Sequence, residues 1–152
     1  MNIAHSYPPN FKKIVEAFNL KRDNDRQPVF TYGTTLYNPS GAEIPQHLLT
    51  HEEVHSRQQG KTDAGAEAWW DKFIADPAFR LEQELEAYGF QYLYAKRHFA
   101  SKHRAQLLHS LASDLSSPAY GSMLSYGEAA SKIRNAANRI YESTVHKLPT
   151  RN

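Results

Sequence analysis

The sequence predicts an α+β protein that is mostly α-helical and has a small antiparallel β-sheet. Apolar residues recur at spacings of three and four over several long segments, which is the pattern of a helix with one buried face. Residues 29–37 are instead rich in β-branched and aromatic residues and form the best strand candidate. The length of 152 residues fits a single domain, with its core at about residues 11–99 and a helical part at about 100–152.

The first elements are short. Pro8 and Pro9 stop a helix, so residues 1–10 are expected to form an irregular arm. Four apolar side chains on one side predict a helix at residues 11–18. The polar run at residues 21–27 then predicts a loop.

The strand candidate at residues 29–37 comes next, and Gly33 in its middle predicts a bulge or a hairpin bend. Residues 38–41, with the sequence NPSG, predict a turn. We expect the helix that follows to begin at Pro45, which suits a first turn, and to end before Gly60.

The rest of the chain reads as helices. An aspartate followed by a proline, Asp76-Pro77, is a strong helix start. Trp69 and Trp70 are expected in the core, because Phe73 and Ile74 follow them at helical spacing. The predicted helices lie at residues 64–75, 77–99, 103–115 and 126–145.

The helix after Pro45 contains His51-Glu52-Glu53-Val54-His55, which has the form H-E-x-x-H. Residues four apart lie on one helix face, about 6 Å apart along the axis, so both imidazoles can reach one zinc ion. Glu52 can then act as general base toward a zinc-activated water. His47 lies four residues before His51, but three histidines spaced in this way are too far apart along the helix to reach one zinc ion. We therefore expect His47 at the surface or at the rim of a cleft.

A catalytic zinc needs a third protein ligand. The helix at residues 77–99 offers Glu82, Glu84 and Glu86, and helical phase places Glu84 at the margin of its apolar face. Glu84 is therefore the favoured ligand and Glu86 the alternative. The competing interpretation of Glu84 is an exposed i, i+4 pair with Arg80.

These residues resemble the gluzincin class of zinc metallopeptidases over about residues 29–95, and the compact size is similar to minimal gluzincins of bacteria and phages. Several gluzincin families have a glutamate ligand in an E-x-E-A pattern, matched here by Glu84-Leu85-Glu86-Ala87, so the resemblance assigns the ligand role to Glu84. Tyr88 stands where those families often have an aspartate that supports a zinc-bound histidine. The resemblance implies a zincin-like fold and a strand, residues 31–37, that pairs with an extended peptide.

The expected function is zinc-dependent peptide hydrolysis, with peptide or protein as substrate, His51, His55 and Glu84 as zinc ligands and Glu52 as general base. An oxyanion donor is also expected. Its candidates are Tyr88, His98, His103 and Tyr120. One alternative is a non-catalytic module that is stabilised by zinc and binds nucleic acid or a protein through basic C-terminal helices. A second alternative is a metal-free helical protein in which the motif occurs by chance.

Charge and composition bear on the first alternative. Residues 96–152 carry nine Lys or Arg against three Asp or Glu. These basic residues alternate with apolar ones at helical spacing, which favours a solvated helix face over a nucleic-acid surface. The chain has no cysteine, no long apolar run and no signal-peptide pattern, so we expect a soluble cytoplasmic protein that does not contact membranes.

Overall fold

The computed structural model describes residues 1–20 and 28–146. The polar loop expected at residues 21–27 lies outside the described residues. Within the described part, the chain forms six α-helices and a three-stranded sheet, which confirms a mostly helical α+β protein. It divides into two compact units, Met1–Arg80 and Leu81–Asn152.

In chain order, the first unit contains β1 (Asn2–Ala4), α1 (Phe11–Phe18), β2 (Phe30–Tyr32), β3 (Thr35–Tyr37), α2 (Gln46–Gln58) and α3 (Asp63–Ala75). Helix α4 (Pro77–His98) begins in the first unit and continues into the second, which adds α5 (Ser101–Leu115), a short 3-10 turn (Pro118–Tyr120) and α6 (Tyr126–Val145).

The sheet is mixed, with the strand order β1-β3-β2. β2 and β3 are antiparallel, and Gly33 lies in the bend between them with a φ of +62°, which a glycine adopts without strain. This confirms the hairpin bend. β1 pairs in parallel with β3, so the expectations of an irregular N-terminal arm and of a purely antiparallel sheet were wrong. The three residues of β1 are too few to show an alternating pattern, and the prolines that suggested an arm come after it.

The core of the first unit is aromatic. Trp69 and Trp70 are buried, as expected, and the Trp69 ring stacks on Phe73 with centroids 4.6 Å apart. Helix α3 thereby closes over the sheet residues Phe30 and Tyr32, which belong to the same apolar cluster. This cluster supports one side of the hairpin that precedes α2.

The turn between α2 and α3 is held tightly. Gly60, just after α2, has a φ of +67°, and Thr62 caps α3 by accepting a hydrogen bond from the Gly65 amide at 3.0 Å. A Cβ on Gly65 would collide with the backbone carbonyl oxygen of Gln59. A residue without a side chain is therefore required at position 65 for the two helices to meet at this turn.

In the second unit, α5 and α6 pack against each other and share an apolar cluster with the part of α4 that follows Arg80. Gly89 allows α4 to approach α6 closely, since a Cβ there would lie 2.9 Å from the Ala136 Cβ. Helix α6 begins with a capping box, in which Ser125 and Glu128 each bond the other's backbone amide.

Helix boundaries differ from the sequence predictions by one or two residues, apart from α1 and α6, whose predicted ranges are the observed ones. None of the helices in the described part of the chain combines the length and the apolar character that crossing a membrane requires.

Candidate metal centre

Helix α2 brings its two histidines together, as the i, i+4 spacing predicts. The Nε2 atoms of His51 and His55 lie 2.9 Å apart, and their ring centroids are 4.7 Å apart. Both side chains are buried, with 5% and 6% of their surface exposed. The two nitrogens therefore point at the same small region.

A carboxylate lies next to these nitrogens. His51, His55 and Glu84 each offer one ligand atom, and these atoms lie within 4.8 Å of one another. Glu84 is buried, whereas Glu82 and Glu86 on the same helix are exposed. Burial thus distinguishes the favoured ligand from the two other acids of α4.

Arg80, one helical turn before Glu84, holds the start of α4 in place. Its Nε donates to the Phe73 carbonyl at 2.8 Å and its Nη2 to the Ile74 carbonyl at 2.9 Å, both at the end of α3. Its guanidinium lies over the Phe18 ring, 4.8 Å from the centroid. Arg80 and Glu84 are both buried, so the competing interpretation of an exposed ion pair was wrong.

The donor set suits zinc. Two imidazole nitrogens and one carboxylate are a ligand combination found at catalytic zinc. Two nitrogens bound tetrahedrally at about 2.0–2.1 Å would lie about 3.3 Å apart, close to the 2.9 Å between the histidine nitrogens.

Gln58 orients the second histidine. Its Oε1 lies 2.8 Å from Nδ1 of His55, and because an amide oxygen only accepts, that Nδ1 carries the proton. The proton-free nitrogen of His55 is then Nε2, the atom that faces His51. A hydrogen bond to the far ring nitrogen fixes the tautomer in this way at many metal sites.

Glu52, the expected general base, is also buried, with 6% of its surface exposed. Its Oε2 accepts a hydrogen bond of 2.7 Å from the Thr31 hydroxyl on β2. Glu52 directly follows His51 and is therefore rotated about 100° from it around the helix. Its carboxylate faces the strand side of α2, and it is not part of the three-residue group.

Side chains of α2 and α3 bond outer backbone groups of Thr31 in β2 and of Gly33 in the bend that follows it. The Thr31 carbonyl accepts from Gln59 Nε2 at 3.0 Å and from Trp70 Nε1 at 2.9 Å. The Gly33 amide donates to Gln59 Oε1 at 2.7 Å, and the Gly33 carbonyl accepts from Ser56 Oγ at 2.6 Å. A peptide adding to this edge would have to displace these bonds.

Strand β3 is paired on both sides, with β1 and with β2. Only β2 of the hairpin therefore has an outer edge in the described sheet, and part of that edge is bonded to side chains of α2 and α3. The expectation that residues 31–37 pair with an extended peptide stays a prediction.

His47 lies outside the three-residue group and is half-buried, which agrees with a position at the rim. Burial lowers the pKa of His47, and the charge of His51 lowers it further. His47 is thus electrostatically close to His51.

The candidate oxyanion donors differ in their surroundings. Tyr88 is buried in the apolar cluster of the second unit, and burial, followed by the charge of Glu84, raises its pKa well above the usual value. It shares a hydrogen bond with Tyr120. His98 and His103 are exposed, and His98 stacks on Tyr94 with centroids 4.2 Å apart. Tyr88 is therefore near Glu84, and Tyr120 is near Tyr88.

Sequence reasoning missed two residues that contact the motif side chains, Gln58 on α2 itself and Thr31 on β2. Gln58 lies three residues after His55, a helical spacing that indicates contact and could have suggested it. Thr31 carried no such signal, since 21 positions separate it from Glu52. Its role emerges only from the packing of β2 on α2.

Comparison of the chain with protein-family models, with curated proteins and with solved structures gave no significant match. The gluzincin resemblance accordingly rests on the motif residues themselves.

Proposed function

We propose that the protein is a zinc-dependent metallopeptidase with a zincin-like site, located in the cytoplasm, that hydrolyses peptide bonds in peptides or proteins. The observation that carries the proposal is the buried group of His51, His55 and Glu84, with Glu52 adjacent in the sequence. Two imidazoles and one carboxylate, held close together and away from water, match the ligand set of a catalytic zinc.

Each of these residues has its own role in the proposed reaction. His51, His55 and Glu84 would hold the zinc, which when bound supplies Lewis-acid activation of water and of the peptide carbonyl. Glu52 accepts the proton of the attacking water and delivers it to the leaving amine. Gln58 keeps the proton of His55 on Nδ1 and so leaves Nε2 available as a ligand.

Tyr88 is the proposed oxyanion donor or supporting group. Its raised pKa keeps the phenol protonated through the neutral range, and a protonated phenol can donate a hydrogen bond to developing negative charge. Glu84, one turn earlier on α4, is the second cause of that shift, which supports a position close to the metal ligands.

A second candidate function is a structural zinc in a binding module. The burial of His51, Glu52, His55 and Glu84 favours it, because a zinc held only for stability also sits in a closed environment. The exposed basic side chains of the second unit, among them Lys132, Arg134 and Arg139, would then contact the partner.

The decisive comparison is between Glu52→Gln and Glu53→Gln. Glu52→Gln keeps the size of the side chain but removes the proton acceptor, so we expect it to retain zinc and to lose at least about a hundredfold in peptide hydrolysis. Glu53 is exposed and points about 100° away, so Glu53→Gln should behave like the wild type. A peptide-library digest analysed by mass spectrometry supplies the substrate for both assays.

Elemental analysis of the same samples separates the two functions. About one zinc per chain, together with cleavage that depends on Glu52, supports the peptidase. Zinc without any cleavage supports the structural role, and Glu52→Gln that cleaves as fast as the wild type contradicts the proposed mechanism.

A further inference from the structure

We propose that Thr31 is a positioning residue for Glu52, fixing the carboxylate so that one oxygen is presented to the reacting water. This inference rests on the proposed function. It assigns a part in the site to a strand residue that lies outside the H-E-x-x-H motif.

The contact between the two side chains is short and buried. The Thr31 hydroxyl lies 2.7 Å from Glu52 Oε2 and 3.3 Å from the Glu52 backbone carbonyl. A hydroxyl has one proton to donate, and a carboxylate oxygen is a stronger acceptor than a backbone carbonyl oxygen. The proton is therefore donated to Oε2, which is also the nearer oxygen. Only 2% of Thr31 and 6% of Glu52 is exposed, so water competes little for this bond.

Thr31 is itself held from several directions. It pairs with Leu36 across the hairpin, and its carbonyl accepts hydrogen bonds from both Gln59 and Trp70. A β-branched side chain also has few accessible rotamers on a strand. The hydroxyl is therefore a fixed point against which the mobile end of a glutamate can be oriented.

The consequence for the carboxylate is a division between its two oxygens. Oε2 is engaged by Thr31, which leaves Oε1 as the proton acceptor. Without the hydroxyl, the carboxylate could rotate about its terminal torsion, which is broad and has no strong preference. Orientation of a reacting group contributes to the rate of the chemical step rather than to substrate binding.

The test compares Thr31→Val, which removes the hydroxyl but keeps the shape, with Thr31→Ser, which keeps the hydroxyl. We expect Thr31→Val to retain about one zinc per chain and to lose about tenfold or more in kcat, with KM changed by less than about twofold. Thr31→Ser should recover most of the lost kcat. Thr50→Val is the matched control. It removes a threonine hydroxyl on α2 that donates to the Gln46 carbonyl and does not contact Glu52, so it should leave kcat unchanged.

A second measurement does not depend on activity. In zinc-free protein, the melting temperatures of Thr31→Val, Glu52→Ala and the double variant form a cycle. If the contact exists in solution, the double variant should melt higher than the sum of the two single losses predicts. Strictly additive losses would show that the two side chains do not interact, and the proposal would be wrong.

The outcomes distinguish this inference from the proposed function. A coupled pair with a kcat loss that serine recovers supports the positioning role. If the two side chains are coupled in stability but Thr31→Val cleaves at the wild-type rate, the bond only stabilises the fold, and the positioning role is overturned. A wild type that cleaves no peptide overturns the proposed function and, with it, any catalytic role of Thr31.

Discussion

Replacing Glu84 with glutamine should greatly reduce the amount by which zinc stabilises the folded protein. Glutamine has nearly the same size, but its neutral amide is a poorer zinc ligand than a carboxylate. With free zinc at about 1,000 times the dissociation constant, binding stabilises the wild type by about 4 kcal/mol. For a chain of this length, 1 kcal/mol shifts the melting temperature by about 2–4 °C, so zinc should raise it by about 8–16 °C.

A hundredfold loss of affinity in Glu84→Gln would leave the same free zinc at only about ten times the new dissociation constant. The remaining stabilisation is about 1.4 kcal/mol, or about 3–6 °C. Differential scanning calorimetry with and without a chelator measures the shift, and elemental analysis measures the bound zinc. The exposed neighbours Glu82 and Glu86 provide the controls Glu82→Gln and Glu86→Gln, which should keep the full wild-type shift.

The zinc-free proteins should show a separate effect of pH. Burial, and then the negative charge of Glu84, raise the pKa of Asp114. A folded-state pKa above the unfolded value means that stability falls as pH rises from the unfolded pKa through the folded one. Glu84→Gln removes the second cause, so this fall should become smaller and the Asp114 pKa, followed by NMR, should move down.

A full zinc shift in Glu84→Gln would refute the ligand assignment. If Glu86→Gln loses the shift instead, the metal is held by the alternative ligand, and the side chain of Glu86 must turn inward when zinc binds.

Two further predictions concern the fold around the site. Gly65→Ala should destabilise the protein by more than about 2 kcal/mol in chemical unfolding, because the new Cβ meets the Gln59 carbonyl, whereas the matched change Gly127→Ala in α6 has open space and should be neutral or stabilising. A stable Gly65→Ala variant would contradict the tight turn between α2 and α3. Ser125→Ala removes the cap of α6 and should cost about 1 kcal/mol, and an unchanged unfolding midpoint would show that the capping box does not persist in solution.

The sequence predicted the helices well because helical signals are local. Pro45 marks the start of α2, Gly60 marks its end, and the pair Asp76-Pro77 marks the start of α4. Apolar periodicity indicates the residues within each helix. The burial of Glu84 also followed from helical phase, since the position lies at the margin of the apolar face of α4. Both inferences use only residues close together in the chain.

The parts that could not be predicted depend on distant pairs. β1 is recognisable only through its partner β3, more than 30 positions later. The bonds that occupy the edge of β2 join residues 23 to 39 positions apart, from Ser56, Gln59 and Trp70 to the hairpin. No periodicity reports such contacts, so the sequence did not show that side chains of α2 and α3 bond the backbone of residues 31 and 33.

Those same contacts explain how a helix with so few apolar residues is held in the fold. Of the five buried residues of α2, only Val54 is apolar. Glu52, Ser56 and Gln59 follow one another at spacings of four and three and bond Thr31 of β2 or Gly33 in the bend after it. His51 and His55 form the neighbouring stripe, with Glu84 close by. Burying polar groups costs free energy unless each has a partner. Residues 31 and 33 supply partners for the first stripe. In the second stripe His55 contacts both Gln58 and His51, and in our proposal zinc would bind the two imidazoles together with Glu84. Because Glu52 belongs to the stripe that bonds residues 31 and 33 and its neighbour His51 to the other stripe, the H-E-x-x-H spacing would place the proposed proton acceptor beside the proposed metal without making it a ligand.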